Sequence, residues 1–106
     1  MMDASPHPFT YLAKRSDGSW KIGFTDNPLE RPKGLRSANP GIKFEIVRVW
    51  QRRDAYRVEQ LVKRIMRPHV DLAATGWETF KASRKAMLAA FDEAIRIADH
   101  MEVKNA

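Results

Sequence analysis

The chain has 106 residues, the size of one domain with a real core and no room for a second module. It carries a net charge of +6, a pI near 10.0 and no cysteine, which excludes disulfides and thiolate metal sites and directs attention to an anionic partner. No apolar run approaches the roughly 18 residues of a membrane span. Met1–Pro8 lack the basic-then-apolar pattern of a secretory signal, so no membrane partner is expected and a cytoplasmic location is.

Residues 1–7 read as a loose tail. Phe9–Arg15 and Trp20–Thr25 read as strands joined by Ser16-Asp17-Gly18-Ser19. Asp26-Asn27-Pro28 is a helix-start signal, a capping side chain followed by proline at the first helical position. The helix it opens should run to about Ser37, interrupted by Pro32 and Gly34. After the turn Asn39-Pro40-Gly41, Ile42–Trp50 reads as a third strand. Its apolar residues fall on both faces, which predicts cover on both sides. Asp54 is placed to cap a helix to about Arg67, stopped by Pro68, with Ala55, Val58, Leu61, Val62, Ile65 and Met66 as its apolar stripe. Ser83 caps a last helix to about Met101, with Met87, Phe91, Ala94, Ile95 and Ala98 facing inward. Strands first and helices after predict an α+β fold: a three-stranded antiparallel sheet flanked by helices. Residues 8–82 form its body, and residues 83–106 form a helix packed on that body or, in a homodimer, on a second copy.

The register of the first hairpin decides whether Tyr11 and Lys21 can act together. A two-residue Asp17-Gly18 turn pairs positions summing to 35 and sends the two side chains to opposite faces. A three-residue loop with Gly18 in the left-handed conformation pairs Tyr11 with Gly23 and Lys21 with Ala13. That register collects Thr10, Leu12, Trp20, Ile22 and Phe24 on one apolar side. It leaves Tyr11 and Lys21 on the other, floored by Ala13 and Gly23, where small residues leave space for a bulky anion. The second register is favoured.

The positive charge is regional. From Arg48 to Arg67 seven basic residues (Arg48, Arg52, Arg53, Arg57, Lys63, Arg64 and Arg67) face only Asp54 and Glu59. From Ser83 onward four basic residues balance four acidic ones. A charge run alone reads as a solvated helix face, but beside the hairpin residues it favours nucleic acid. Arg53, Arg57 and Arg64 fall close to one line, and with Lys63 they are the candidate phosphate contacts. Tyr56, Glu59 and Lys63 share a second helix face, read as separate from the apolar stripe. Glu59 is open to two readings: an ion pair with Lys63, or a carboxylate for a magnesium ion whose other positions are filled by waters and a phosphate.

Taken in order, these residues resemble the GIY-YIG nuclease superfamily, in particular its small phage and bacterial branch, where the second half of the name motif often reads KIG. Here the first half is Thr10-Tyr11-Leu12 and the second is Lys21-Ile22-Gly23, followed by Phe24-Thr25. Arg31, in Asn27-Pro28-Leu29-Glu30-Arg31, stands for the family arginine, and Glu59 for its metal-binding glutamate. Ser37-Ala38-Asn39-Pro40 resembles a recurring turn of the branch, and Gly76-Trp77-Glu78-Thr79-Phe80 its closing segment. The resemblance implies a DNA endonuclease using Mg2+ or Mn2+. Tyr11 helped by Lys21 would activate or orient water, Arg31 would contact the scissile phosphate, and Glu59 would hold the metal. A DNA-binding module without cutting is the alternative, and a protein-interaction domain the further one. Trp77, Phe80, Trp20 and Trp50 read as core rather than stacking platforms. His7, His69 and His100 have no metal-ligand spacing.

Overall fold

The computed structural model describes residues 8–30, 41–70 and 79–104. Strands β1 (Phe9–Arg15), β2 (Trp20–Thr25), β3 (Phe44–Gln51) and β4 (Thr79–Phe80) form one antiparallel sheet in the order β3-β1-β2-β4. Helices α1 (Ala55–Ile65) and α2 (Arg84–Lys104) complete the α+β fold. The sheet therefore has a fourth strand beyond the expected three. Two residues are too short to show a period of two, so nothing in the sequence marks β4. It forms because Trp20 pairs with Phe80 and Lys21 with Thr79 on the outer side of β2. Beyond the turn at residues 28–30, the expected first helix lies outside the described residues, as do Arg31, Gly76, Trp77 and Glu78.

The hairpin adopts the register that sums to 34: Tyr11 faces Gly23 and Ala13 faces Lys21. Gly18 sits at φ 90°, the left-handed region that a Cβ disfavours, and its N–H closes the loop on the Arg15 carbonyl at 3.0 Å. The Asp17 carboxylate accepts from the Ser19 N–H and hydroxyl (3.0 and 2.6 Å), and these bonds hold its carboxyl below the usual range.

Strict alternation sends Leu12, Trp20 and Ile22 to one face of the sheet, where both helices pack. Val58, Val62 and Met66 of α1 and Met87, Phe91, Ala94 and Ala98 of α2 close this core. The Thr10 hydroxyl donates to the Ala55 carbonyl at 2.7 Å and fixes the start of α1 over β1. Trp50 of β3 lies flat on Phe91, centroids 4.0 Å apart, and the Trp20 indole N–H donates to the Ala82 carbonyl at 2.8 Å. The apolar stripe of α2 is thus buried in its own domain. The Ser83 cap forms as read, its hydroxyl accepting from the Ala86 N–H at 3.1 Å. A smaller cluster of Tyr11, Ala13 and Phe44, joined by Ile42, Ile46 and Val49, occupies the opposite face. β3 feeds both faces through a register shift against Leu12/Ala13, although it stands at the sheet edge and its apolar side chains are mostly half-buried.

Asp54 occupies the N-cap of α1 without capping it. Its carboxylate takes the Arg52 guanidinium on both oxygens instead (2.7 and 3.0 Å), and Arg52 reaches on to Asp99 of α2 at 2.6 Å. A bidentate charged contact outcompetes a single backbone N–H. It also holds the Asp54 carboxyl below the usual range. α1 ends at Ile65, and Pro68 falls in a 3-10 turn over Arg67–His69.

Candidate functional site

Tyr11 and Lys21 stand on the same face of the hairpin, on neighbouring strands, as the 34 register requires. The space expected there for an anion is filled from within. Tyr11 is fully buried, and its ring lies across Gly23 so closely that a Cβ at Gly23 would stand 2.4 Å from the phenol oxygen and 2.5 Å from Cζ. Gly23 therefore serves as the bed of the phenol. Gly23→Ala should displace the ring, and because the ring is buried on all sides the cost is overpacking, about 1–3 kcal/mol. In a thermal melt Tyr11→Leu/Gly23→Ala should recover most of the loss, and an unchanged melting temperature for Gly23→Ala alone would show that the ring moves freely.

The sequence reading missed a further cation on this face. Arg15 follows Tyr11 and Ala13 at the same alternation, is only 7% exposed, donates to the Thr79 hydroxyl at 2.8 Å and lies 3.4 Å from Asp17. Among the described residues its Nε has no hydrogen-bond partner. The period-two count from Tyr11 was the available signal. The partner Thr79 was not, because it belongs to the unforeseen β4.

Glu59 enters from α1, which packs on the other face of the sheet, so the described residues do not gather it onto the Tyr11/Lys21 face by strand or helix face alone. It is not on a separate solvent face of α1 either. Its side chain is 3% exposed, bordering the stripe beside Val58 and Val62. The Lys63 ammonium, 19% exposed, donates to Oε2 at 3.0 Å, and the Gln60 amide donates to Oε1. The ion pair read from the i, i+4 spacing is thus formed. No group of three or more His, Cys, Asp or Glu side chains is gathered among the described residues. Among the described residues a divalent ion would rest on the Glu59 carboxylate alone, completed by waters and a substrate phosphate. The carboxylate suits a hard cation in charge and donor type, with Lys63 now holding one of its oxygens.

The basic segment divides cleanly. Arg52 is taken by Asp54 and Asp99, and Lys63 by Glu59. The remaining five, Arg48, Arg53, Arg57, Arg64 and Arg67, are all exposed. Arg48 lies over the Trp50 ring, 5.0 Å from its centroid. The net excess of the segment is therefore carried on the surface, available to phosphates. Arg53 sits in the turn before α1 rather than on it. A cavity of about 250 Å³ opens beside α1, lined by Gln60, Lys63, Arg64, Arg67, Val70 and Phe80. Phe80 is buried in β4 and is core, as its pattern suggested, while His69 and His100 are exposed. No helix among the described residues is long and apolar enough to cross a membrane.

An antiparallel sheet with a phenol and a lysine on one face, and on the other a helix that carries Arg57, Lys63 and Arg64, defines an α+β module with a basic surface. The chain belongs to the T5orf172 domain family, whose model matches residues 9–99. That family is a phage-associated domain related to nuclease-like folds of the GIY-YIG kind. No curated protein and no solved structure matches the chain significantly.

Proposed function

We propose that this domain is a metal-dependent DNA endonuclease of the GIY-YIG kind. The single observation that carries the reading is the hairpin register, because only the 34 register lets Tyr11 and Lys21 work on one phosphate. Family membership supports a DNA-related role, and the exposed arginines supply the affinity for a polyanion.

In this reading Tyr11, with Lys21 beside it, orients and activates the attacking water. The water oxygen bonds to phosphorus as one P–O ester bond breaks, leaving a phosphomonoester on one strand end and a hydroxyl on the other. Arg31 stabilises the added charge on the phosphate. Glu59 would hold Mg2+ or Mn2+ in place of its contact with Lys63. Lewis-acid polarisation of the phosphate and support of the leaving oxygen are the chemistry such an ion supplies.

The occupied carboxylate, the buried phenol and the packing of α1 on the sheet face opposite Tyr11 and Lys21 favour a second reading, a DNA-binding module that does not cut. Supercoiled plasmid incubated with the protein and Mg2+ or Mn2+ separates the two. Conversion to nicked circles that stops on chelation is the expected result. Binding without nicking under either metal supports the second reading, and neither binding nor nicking leaves a protein-interaction role.

A further inference from the structure

We infer that Tyr56 is a stacking platform for one unpaired base, so that α1 selects DNA strands with unpaired nucleotides over intact duplex. The inference rests on the DNA-binding reading above and deepens it.

Tyr56 is 51% exposed, unusual for a ring of its size in a domain whose Trp20, Phe80 and Phe91 are all buried. It is nevertheless fixed. Its ring meets Phe24 of β2 at right angles, centroids 5.2 Å apart. An edge-to-face contact engages at most one face of the Tyr56 ring, and the exposed half remains open to solvent. The platform is thus anchored by the sheet on one side and open on the other.

The charges around it are arranged for a strand. Arg53 precedes Tyr56 by three residues and Arg57 follows it directly, and both are exposed. Along α1, Arg57, Gln60 and Arg64 share one stripe at i, i+3 and i+7, and Tyr56 borders that stripe through its i, i+4 relation to Gln60. Arg57 and Arg64 are separated by about 10 Å of helix rise. A strand whose phosphates follow the arginines therefore brings its bases alongside the ring. In duplex DNA the faces of the bases are already stacked on one another, and only edges meet the protein. Only an unpaired base can offer a face to Tyr56. Aromatic stacking of this kind tolerates any base, so the preference is for strand structure and not for sequence.

The test compares three fluorescein-labelled DNAs by anisotropy: blunt duplex, the same duplex with a one-nucleotide gap, and single strand. Wild-type protein should bind the gapped and single-stranded forms more tightly than the blunt one. Tyr56→Ala should lose about 5- to 150-fold on those two forms, the range for one stacked base, with blunt-duplex affinity nearly unchanged. Tyr56→Phe should keep the preference, since it keeps the ring. A fluorescent purine analogue opposite the gap should be quenched by wild type and Tyr56→Phe but not by Tyr56→Ala. Equal losses on all three DNAs, or a Tyr56→Ala protein with the wild-type preference, would overturn the inference while leaving DNA binding intact. Failure of the wild-type protein to bind any of the three would instead overturn the underlying reading.

Discussion

Glu59→Ala should abolish metal-dependent nicking, a loss of about 100-fold or more, since it removes the only carboxylate assigned to the ion and with it several kcal/mol of charge stabilisation. DNA affinity should stay equal or rise slightly, because a negative charge leaves a strongly basic segment. The fold should tolerate the change. Removing one partner of a deeply buried pair strands the other charge, but Lys63 is 19% exposed and its ammonium can turn outward to water. Glu59→Gln is the sharper variant, keeping shape and hydrogen bonding while removing the charge. If Glu59 serves only as the partner of Lys63, Glu59→Gln and Lys63→Met should each shift the melting temperature and leave residual nicking in proportion to folded protein. A Glu59→Gln protein that nicks at the wild-type rate removes the carboxylate from the chemistry.

Phe91→Ala should be the most damaging single core change. The ring is fully buried, stacks on Trp50 and joins α2 to β3 across the main cluster. Truncating a buried phenylalanine costs about 3–5 kcal/mol, against a total stability of about 5–15 kcal/mol for a domain of this kind. The melting temperature should fall by about 12 °C or more, at roughly 4–8 °C per kcal/mol. Met101→Ala on the same helix, at an exposed position, should change stability by less than about 0.5 kcal/mol. A loss below about 1 kcal/mol for Phe91→Ala, measured by circular dichroism melting, would mean that α2 does not close this core. The helix would then serve a second copy of the chain, as its neutral charge balance also allowed.

How much of this was legible in the chain differs by element. The hairpin strands were readable to the residue, because alternation over six or seven positions and one glycine requiring positive φ leave a single register with a clean apolar face. The stripes of both helices and the Ser83 cap were readable for the same reason: they are local patterns that burial obeys. The arginine excess was also a property of the sequence, and its placement on the surface follows from the cost of burying unpaired guanidinium groups.

Tertiary structure decided what depends on residues far apart. β4 forms between the edge of β2 and the end of the 3-10 turn: Arg15 donates to Thr79, Phe80 bridges Val70 and the Lys81 N–H donates to the His69 carbonyl. Asp54 abandoned its cap because Arg52 can bridge it to Asp99, a residue on another helix that no local pattern connects to it. Glu59 lies at the border of the apolar stripe, where the curvature of packing rather than helical spacing settles exposure. The small residues at Ala13 and Gly23 read as room for a ligand, yet a tyrosine side chain is longer than the spacing between neighbouring strands, and the Tyr11 ring took the room at Gly23. Sequence alone thus determined the hairpin, the helix faces and the location of charge, since each is set by period and by the cost of burial. Only the three-dimensional packing decided which polar groups far apart in the chain found one another, as Arg52 found Asp99 and Arg15 found Thr79, since that depends on distance in space.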